Sequence, residues 1–245
     1  MLQPIVLFGA GPFPEIHEIV RDINAAAPAF EVVGILDDDA SLKGSTIEGV
    51  PVLGRLDDAA RYPNVRFVNC IGSHRSRLQK FALLRRLALP LARYATLVHP
   101  TAKIYRSARL EAGTIVHAGA AIMNDTVVEP FAEILLNAVI GVRNRVCEGA
   151  MITALVCTTA DVVVGPYAHI GANSSIAPGV WIGAAAQIGL GSVILRDVAA
   201  GEFWLGNPPV LRRTVELPAE LLGQWAALQA ARPRPKDPKT QRATG

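Results

Sequence analysis

The chain has 245 residues and a formal charge of +3, with 51% hydrophobic but only 6% aromatic residues, enough for one large domain or two smaller ones with aliphatic cores. Five Lys/Arg and one Asp fall in residues 232–245, leaving a near-neutral body with a short basic tail, which argues against nucleic acid as the main ligand. No apolar run reaches the ~20 residues of a membrane helix, "MLQPIVLFGAG" has no basic leader or cleavage site, and Cys70, Cys147 and Cys157 form no CxxC pair, so a reduced, cytoplasmic protein is expected.

"PIVLFGAG" reads as a strand ending in a glycine turn, and "EIHEIVRDINAAA" as the helix after it. "FEVVGILDDD" is a second strand running into Asp37, Asp38 and Asp39; "VPVLG" and "VRFVNCIGS" are two more, and "RSRLQKFALLRRLAL" is an amphipathic helix with a basic face. Alternating strands and helices predict a small parallel sheet, a Rossmann-like α/β domain over residues 1–96. Ligands of such sheets sit beyond the carboxyl ends of the strands, which gathers Gly9, Gly11, Asp37, Asp38, Gly72, Ser73 and Arg77 around one crevice. "GAGPFP" puts Pro14 where the third glycine of a dinucleotide fingerprint belongs, and its prolines remove backbone donors, so an NAD site is not expected.

From Val98 the sequence repeats every six residues: Ile104, Leu110, Val116, Ile122, Val128, Ile134, Ile140, Val146, Ile152, Thr158, Val164, and so on to Ile194. Only Thr158 is not aliphatic, and four residues after most members stands a small side chain such as Ala120, Ala132 or Ala150. Period six is the mark of a hexapeptide β-helix over residues 97–213, with aliphatic residues stacked inside and three hexads per coil. Its flat faces invite oligomers. "LPAELLGQWAALQAA" is read as a C-terminal packing helix within 214–231, and the Pro-rich basic tail 232–245 as disordered.

The order of parts, with "GILDDDASLKGSTIEGVPVLG", "ATLVHPTAKI" and "GEFWLGNPP", resembles the bacterial hexapeptide-repeat sugar acyltransferases, the sialic acid O-acetyltransferase-like and bacillosamine N-acetyltransferase-like proteins. The resemblance implies a homotrimer with a left-handed parallel β-helix. It also implies a nucleotide-linked sugar held by the N-terminal domain through Gly9, Gly11, Asp37, Asp38, Ser73 and Arg77, and acetyl-CoA along the cleft between neighbouring helices. Gly171, Gly183 and Gly189 are then expected to let pantetheine approach the backbone. Gly206, Asn207 and Pro208 pack near the adenine in this reading, with Arg212 or Arg213 on the phosphates. Bulky replacements of Gly183 or Gly189 are expected to weaken cofactor binding while the fold survives.

Two departures from the family pattern stand out. Its first turn reads Gly-Ala-Gly-Gly-His-Gly, where this chain has "GAGPFP". Its catalytic histidine falls on Val142, or on Asn144 in a local alternative alignment, and its second histidine falls on Met151. Neither Val142 nor Asn144 can take a proton at neutral pH. His169 lies one eighteen-residue coil beyond Met151 and is the candidate for a relocated base or donor. A weakened base favours an amine over a hydroxyl acceptor. The expected activity is therefore acetyl-CoA-dependent N-acylation of a nucleotide-linked amino sugar, with a non-catalytic trimeric scaffold as the alternative. No metal is expected, because no convergent set of three histidines is present. Of the other histidines, His99 should cap a turn, while His17, His74 and His117 should be exposed.

Overall fold

The computed structural model describes residues 1–72 and 75–232. Ser73, His74 and the tail from residue 233 onward lie outside the described residues.

The N-terminal domain is built from β1 (Gln3–Phe8), α1 (Phe13–Ala26), β2 (Phe30–Leu36), β3 (Thr46–Ile47), β4 (Val50–Gly54), β5 (Arg66–Asn69) and α2 (Arg77–Leu87). The sheet order is β3-β4-β2-β1-β5, parallel except for the short β3–β4 hairpin at one edge. Ile5 and Leu7 point to one side and Phe8 to the other, the alternation expected of a strand buried on both faces. In α1, Phe13, Ile16, Ile19 and Val20 form the buried stripe. They share a core with Leu97 and Ile115, so α1 is the part of this domain that seats against the first coils of the second.

The second domain is the parallel β-helix. Among the described residues, seventeen two-residue strands run from β6 (Leu97–Val98) to β22 (Val193–Ile194) and stack into three flat sheets. Strand partners are eighteen residues apart, as in Glu133↔Met151 and Met151↔His169, which fixes three hexads per coil. The interior holds the hexad aliphatics from Val116 to Ile194 together with Ala120, Ala132, Ala138, Ala150, Ala168 and Ala186. Corners demand left-handed backbone, which is why Asn137, Asp161, Asn173 and Gly149 recur there at positive φ. Thr158, the one polar member of the repeat, is buried and accepts from the Asn144 amide at 2.6 Å.

The three faces are not equivalent. The outward residues of one sheet (Leu97, Ile115, Glu133, Met151, His169, Gln187) turn toward the N-terminal domain, and none of them is exposed. On the second, Val163 and Trp181 are covered, the latter by Trp225 of α3 (Ala219–Ala230) at 5.8 Å between ring centroids. The third carries Lys103, Ala121, Val139, Cys157, Ser175 and Val193, and among the described residues no helix or sheet packs over it. A hairpin of β23 (Glu202–Leu205) and β24 (Val210–Thr214) ends the coil. No described helix is long and apolar enough to cross a membrane.

Candidate active site

The carboxyl ends of β1, β2, β4 and β5 form the expected crevice. Gly9 is buried at φ +94°, a left-handed conformation that lets the chain leave β1, and a Cβ there would stand 2.8 Å from Ile71 Cγ1. Asp37 is already committed: its carboxylate accepts from the Ala10 N–H at 2.7 Å and from the Asp39 N–H at 2.8 Å. Asp38 accepts from the Leu56 N–H and pairs with Arg86 at 3.2 Å and Arg55 at 3.5 Å. Partial burial pushes its pKa up, but the Arg86 hydrogen bond, the Leu56 N–H and the neighbouring guanidinium charges together hold it below the usual carboxylate value. A cavity of about 550 Å³ opens here, with Asp37, Asp38, Asp39, Lys43, Arg55 and Arg61 on its wall. Gly11 is open to solvent with nothing near its Cβ position. The Phe13 N–H is taken by the Ala10 carbonyl and Pro12 has none to give, so the turn into α1 is poorly equipped to cradle a phosphate.

Arg77 does not face this crevice. It is buried at the domain boundary, where its Nε donates to the Ala185 carbonyl at 3.1 Å. Burial, then the charge of Arg213, lowers its pKa from the ordinary value.

A second cavity, of about 310 Å³, joins the two domains. Gly11 and Pro12 approach from the turn into α1 and Glu15 from its first turn, Cys70 and Gly72 from beyond the end of β5, and Glu133, Leu135, Met151 and His169 from the β-helix. Glu133, Met151 and His169 are consecutive rungs of one column, each about 4.8 Å from the next. The eighteen-residue step that singles out His169 places it as expected, on the rung beyond Met151. It lines the cavity and is partly buried.

Glu133 on the wall of this cavity is backed by a cluster of titratable groups. His117 Nε2 lies 2.9 Å from Glu133 Oε1, with the two side chains 5% and 13% exposed. A carboxylate only accepts, so Nε2 carries the proton. His117 was expected to be an exposed turn residue; it is buried because the N-terminal domain closes over its sheet. Lys80, fully inside, donates from Nζ to the Phe131 carbonyl at 2.6 Å. Burial draws its pKa down, while Glu133, Cys70 and Glu148 pull it back up. Burial and then the Glu133 charge push the Cys70 thiol well above its ordinary range, which makes it an inert wall. His99 caps a turn as expected, accepting from the Thr101 N–H at 3.1 Å and pairing with Asp22 at 2.8 Å. His17, expected to be exposed, has a side chain only 14% exposed, tilted against Phe13 and paired with Glu48 at 2.9 Å.

Several expected site residues lie elsewhere. Asn144 is 2% exposed and sits inside the prism, where it donates to Thr158 Oγ1 and accepts from the Val162 N–H at 2.8 Å. With both ends of its amide engaged in coil-to-coil bonds, it cannot stand in for a surface histidine. Val142 is half-buried beside a bidentate Arg143–Asp161 pair, both contacts 2.7 Å. Gly171, Gly183 and Gly189 are buried, and the space over each is filled by protein. A Cβ would meet the Gly189 backbone at 2.7 Å, the Ala200 nitrogen at 2.3 Å and the Leu205 side chain at 2.3 Å respectively. They are glycines so that successive coils can touch, and bulky replacements of Gly183 would not leave the fold intact. Gly206 turns the β23–β24 hairpin, its N–H bonded to Ser192 Oγ at 2.9 Å, and Asn207, Pro208 and Arg212 are exposed on it. Ser73 lies outside the described residues.

Glu133 and Lys80 are the groups that sequence reasoning passed over. One backward coil from Met151 gives residue 133, so the same step that found His169 would have found Glu133. Lys80 carried no such signal, since it reads as part of a basic helix face.

Comparison with known proteins agrees with this architecture. Residues 4–84 match the PglD N-terminal domain family. The Bacillus subtilis (strain 168) protein YvoF, named as an acetyltransferase, is 27% identical over 141 residues, spanning 57% of this chain and 81% of its own length. A variant of perosamine N-acetyltransferase from Caulobacter crescentus, solved with CoA and GDP-perosamine, superposes with a TM-score of 0.73 at 25% identity, covering 87% of this chain and 98% of that one. The acetyltransferase domain of PglB from Neisseria gonorrhoeae FA1090, solved with acetyl coenzyme A, shares the fold at TM-score 0.65 and 20% identity, covering 86% of this chain and 100% of that one. The resemblance to hexapeptide-repeat sugar acyltransferases holds over both halves of the chain.

Proposed function

We propose that this chain transfers an acetyl group from acetyl-CoA to the amine of a nucleotide-linked amino sugar, in the cytoplasm and as a homotrimer. The observation that carries the reading is the cavity at the domain boundary, which joins the crevice of a parallel sheet to a β-helix column bearing two groups able to exchange protons, Glu133 and His169. The similarity to an enzyme that binds CoA and GDP-perosamine supports the same pairing of donor and acceptor here. In this reading the nucleoside occupies the pocket edged by Asp37 to Asp39, and Gly9 and Gly11 admit the diphosphate past the first turn. The sugar reaches the smaller cavity, where His169 donates to the thioester oxygen. Gly206, Asn207, Pro208 and Arg212 take the adenine end of the cofactor. A non-catalytic trimer is favoured only by the loss of a proton acceptor at Val142 and Met151. The deciding experiment is release of CoA thiol from acetyl-CoA in the presence of GDP-perosamine and its UDP- and dTDP-linked 4-amino counterparts. Turnover with one of them is expected, and none with any would leave the scaffold reading.

The trimer rests on the uncovered face. Its outward residues are mostly small or neutral, Ala121, Val139, Cys157, Ser175 and Val193, and the adjoining corner exposes Leu136 at 45% and Leu155 at 58%. Such a surface is better buried than wetted. Light scattering at micromolar concentration is expected to give about three times the 26.0 kDa chain mass, with Cys157 slow to react with a thiol reagent. A monomer with a fast-reacting Cys157 would remove the shared cleft.

A further inference from the structure

We propose that Glu133, one coil toward the N-terminus from Met151, is the base of this site and that His117, from the coil before it, is its positioning residue. The assignment rests on the acyl-transfer reading above.

The geometry is that of a held carboxylate. Oε1 is fixed by the His117 N–H at 2.9 Å, and both side chains are almost wholly buried. Oε2 looks toward the end of β5: a Cβ placed on Gly72 would lie 3.6 Å from Oε2, 3.0 Å from Met151 Cε and 3.8 Å from Lys80 Nζ. Glu133 lines the cavity itself, whereas His117 lies behind it and touches the cavity only through Glu133. The Lys80 ammonium is close enough for Glu133 to feel its charge, yet it donates to the Phe131 carbonyl and no ion pair forms between the two. A buried carboxylate on the wall of the cavity favours a cation. An amino sugar arriving as its ammonium form supplies one, and a hydroxyl acceptor does not.

The proton balance closes without any further reactant. Glu133 takes one proton from the sugar ammonium and passes it to water. The neutral amine then forms the C–N bond to the acetyl carbonyl carbon as the C–S bond breaks. The second amine proton leaves with the sulfur as CoA thiol, and the amide remains. His117 keeps Glu133 in register by donating to the oxygen that does not react, the role a partner plays for a catalytic base elsewhere.

The test uses the full chain with acetyl-CoA and the same acceptor panel. Glu133→Gln keeps the shape and the His117 contact but removes the base. It is expected to lower kcat/KM by about 10²–10⁴-fold, with acetyl-CoA binding unchanged by calorimetry. His117→Gln is expected to lose about tenfold and to move the acid limb of the pH–rate profile, which a purely structural role would leave in place. Glu133→Ala should recover activity with added formate, a carboxylate small enough for the vacated space. Wild-type turnover with Glu133→Gln within threefold of it, or Glu133→Ala without formate rescue, would overturn the assignment alone. No turnover by wild type with any of the acceptors would overturn the acyl-transfer reading and this assignment with it.

Discussion

Gly183→Ala, a single added methyl, is expected to destabilise the fold by about 3 kcal/mol, at the upper end for overpacking a closed interior. The added Cβ would lie 2.3 Å from the Ala200 nitrogen, 2.5 Å from the Ala199 carbonyl carbon and 2.6 Å from the Ala200 Cα. All three are backbone atoms, so no flexible side chain can swing aside, and the Gly183 N–H to Val198 carbonyl bond at 2.8 Å ties the same stretch down. Gly11→Ala is the control: its Cβ position is empty and its φ is ordinary, so the change should fall within about 0.5 kcal/mol of wild type. Urea midpoints at constant m-value measure both. Equal midpoints for the two variants would mean that the last coils are not packed backbone to backbone.

The β-helix was almost completely legible in the sequence, because its interior is a single stack read once per hexad. Every aliphatic member from Val116 to Ile194 is buried, and Thr158 is matched by Asn144 from the preceding coil. The strands and helices of the N-terminal domain also fall where the apolar runs put them. β3 escaped, since two residues paired at a sheet edge carry no periodicity, and so did the short 3-10 turns, the longest of them Leu56–Arg61.

The site was legible only in part, because its geometry depends on how one domain lies on the other. Gly183 and Gly189 look like room for a cofactor until the next coil is seen to occupy that room. Asn144 stands four residues after Ile140, the step that Ala120 and Ala138 occupy inside the prism, so the repeat itself marks it as inward rather than as a stand-in for a histidine. His117 becomes a buried partner of Glu133 only after the N-terminal domain covers their sheet, a contact that no local spacing announces. His169 was reachable because it shares a column with Met151, and columns are written in the sequence.

The docking of the domains leads to the second large effect, at Tyr167. This residue is fully buried at a β-helix corner, its ring packed edge-on against Phe81 of α2 at 5.2 Å between centroids. The same ring fills the space over Gly149, where a Cβ would lie 2.4 Å from it. Its hydroxyl donates to Glu148 at 2.7 Å; Glu148 also accepts from Arg85 of α2, and Arg85 donates to Glu220 of α3. One side chain thus ties the corner to both helices. Tyr167→Ala removes the ring and leaves a cavity among residues held by three elements, so a loss of about 3–5 kcal/mol is expected. Tyr167→Phe keeps the ring and loses one hydrogen bond, about 1 kcal/mol near neutral pH. Alkaline titration separates the two contributions. Burial, then the Glu148 charge, holds the Tyr167 phenol well above its ordinary value, and burial pushes Tyr94 up to about 12. A pKa raised by folding gives stability that is present below the unfolded value, about 10 for tyrosine, and lost as pH rises beyond it. Wild-type stability is therefore expected to fall above pH ~10, and Tyr167→Phe to fall less steeply by the share of one proton. Parallel slopes in the two proteins would show that the phenol ionises as readily in the fold as out of it, and that the corner is open to water.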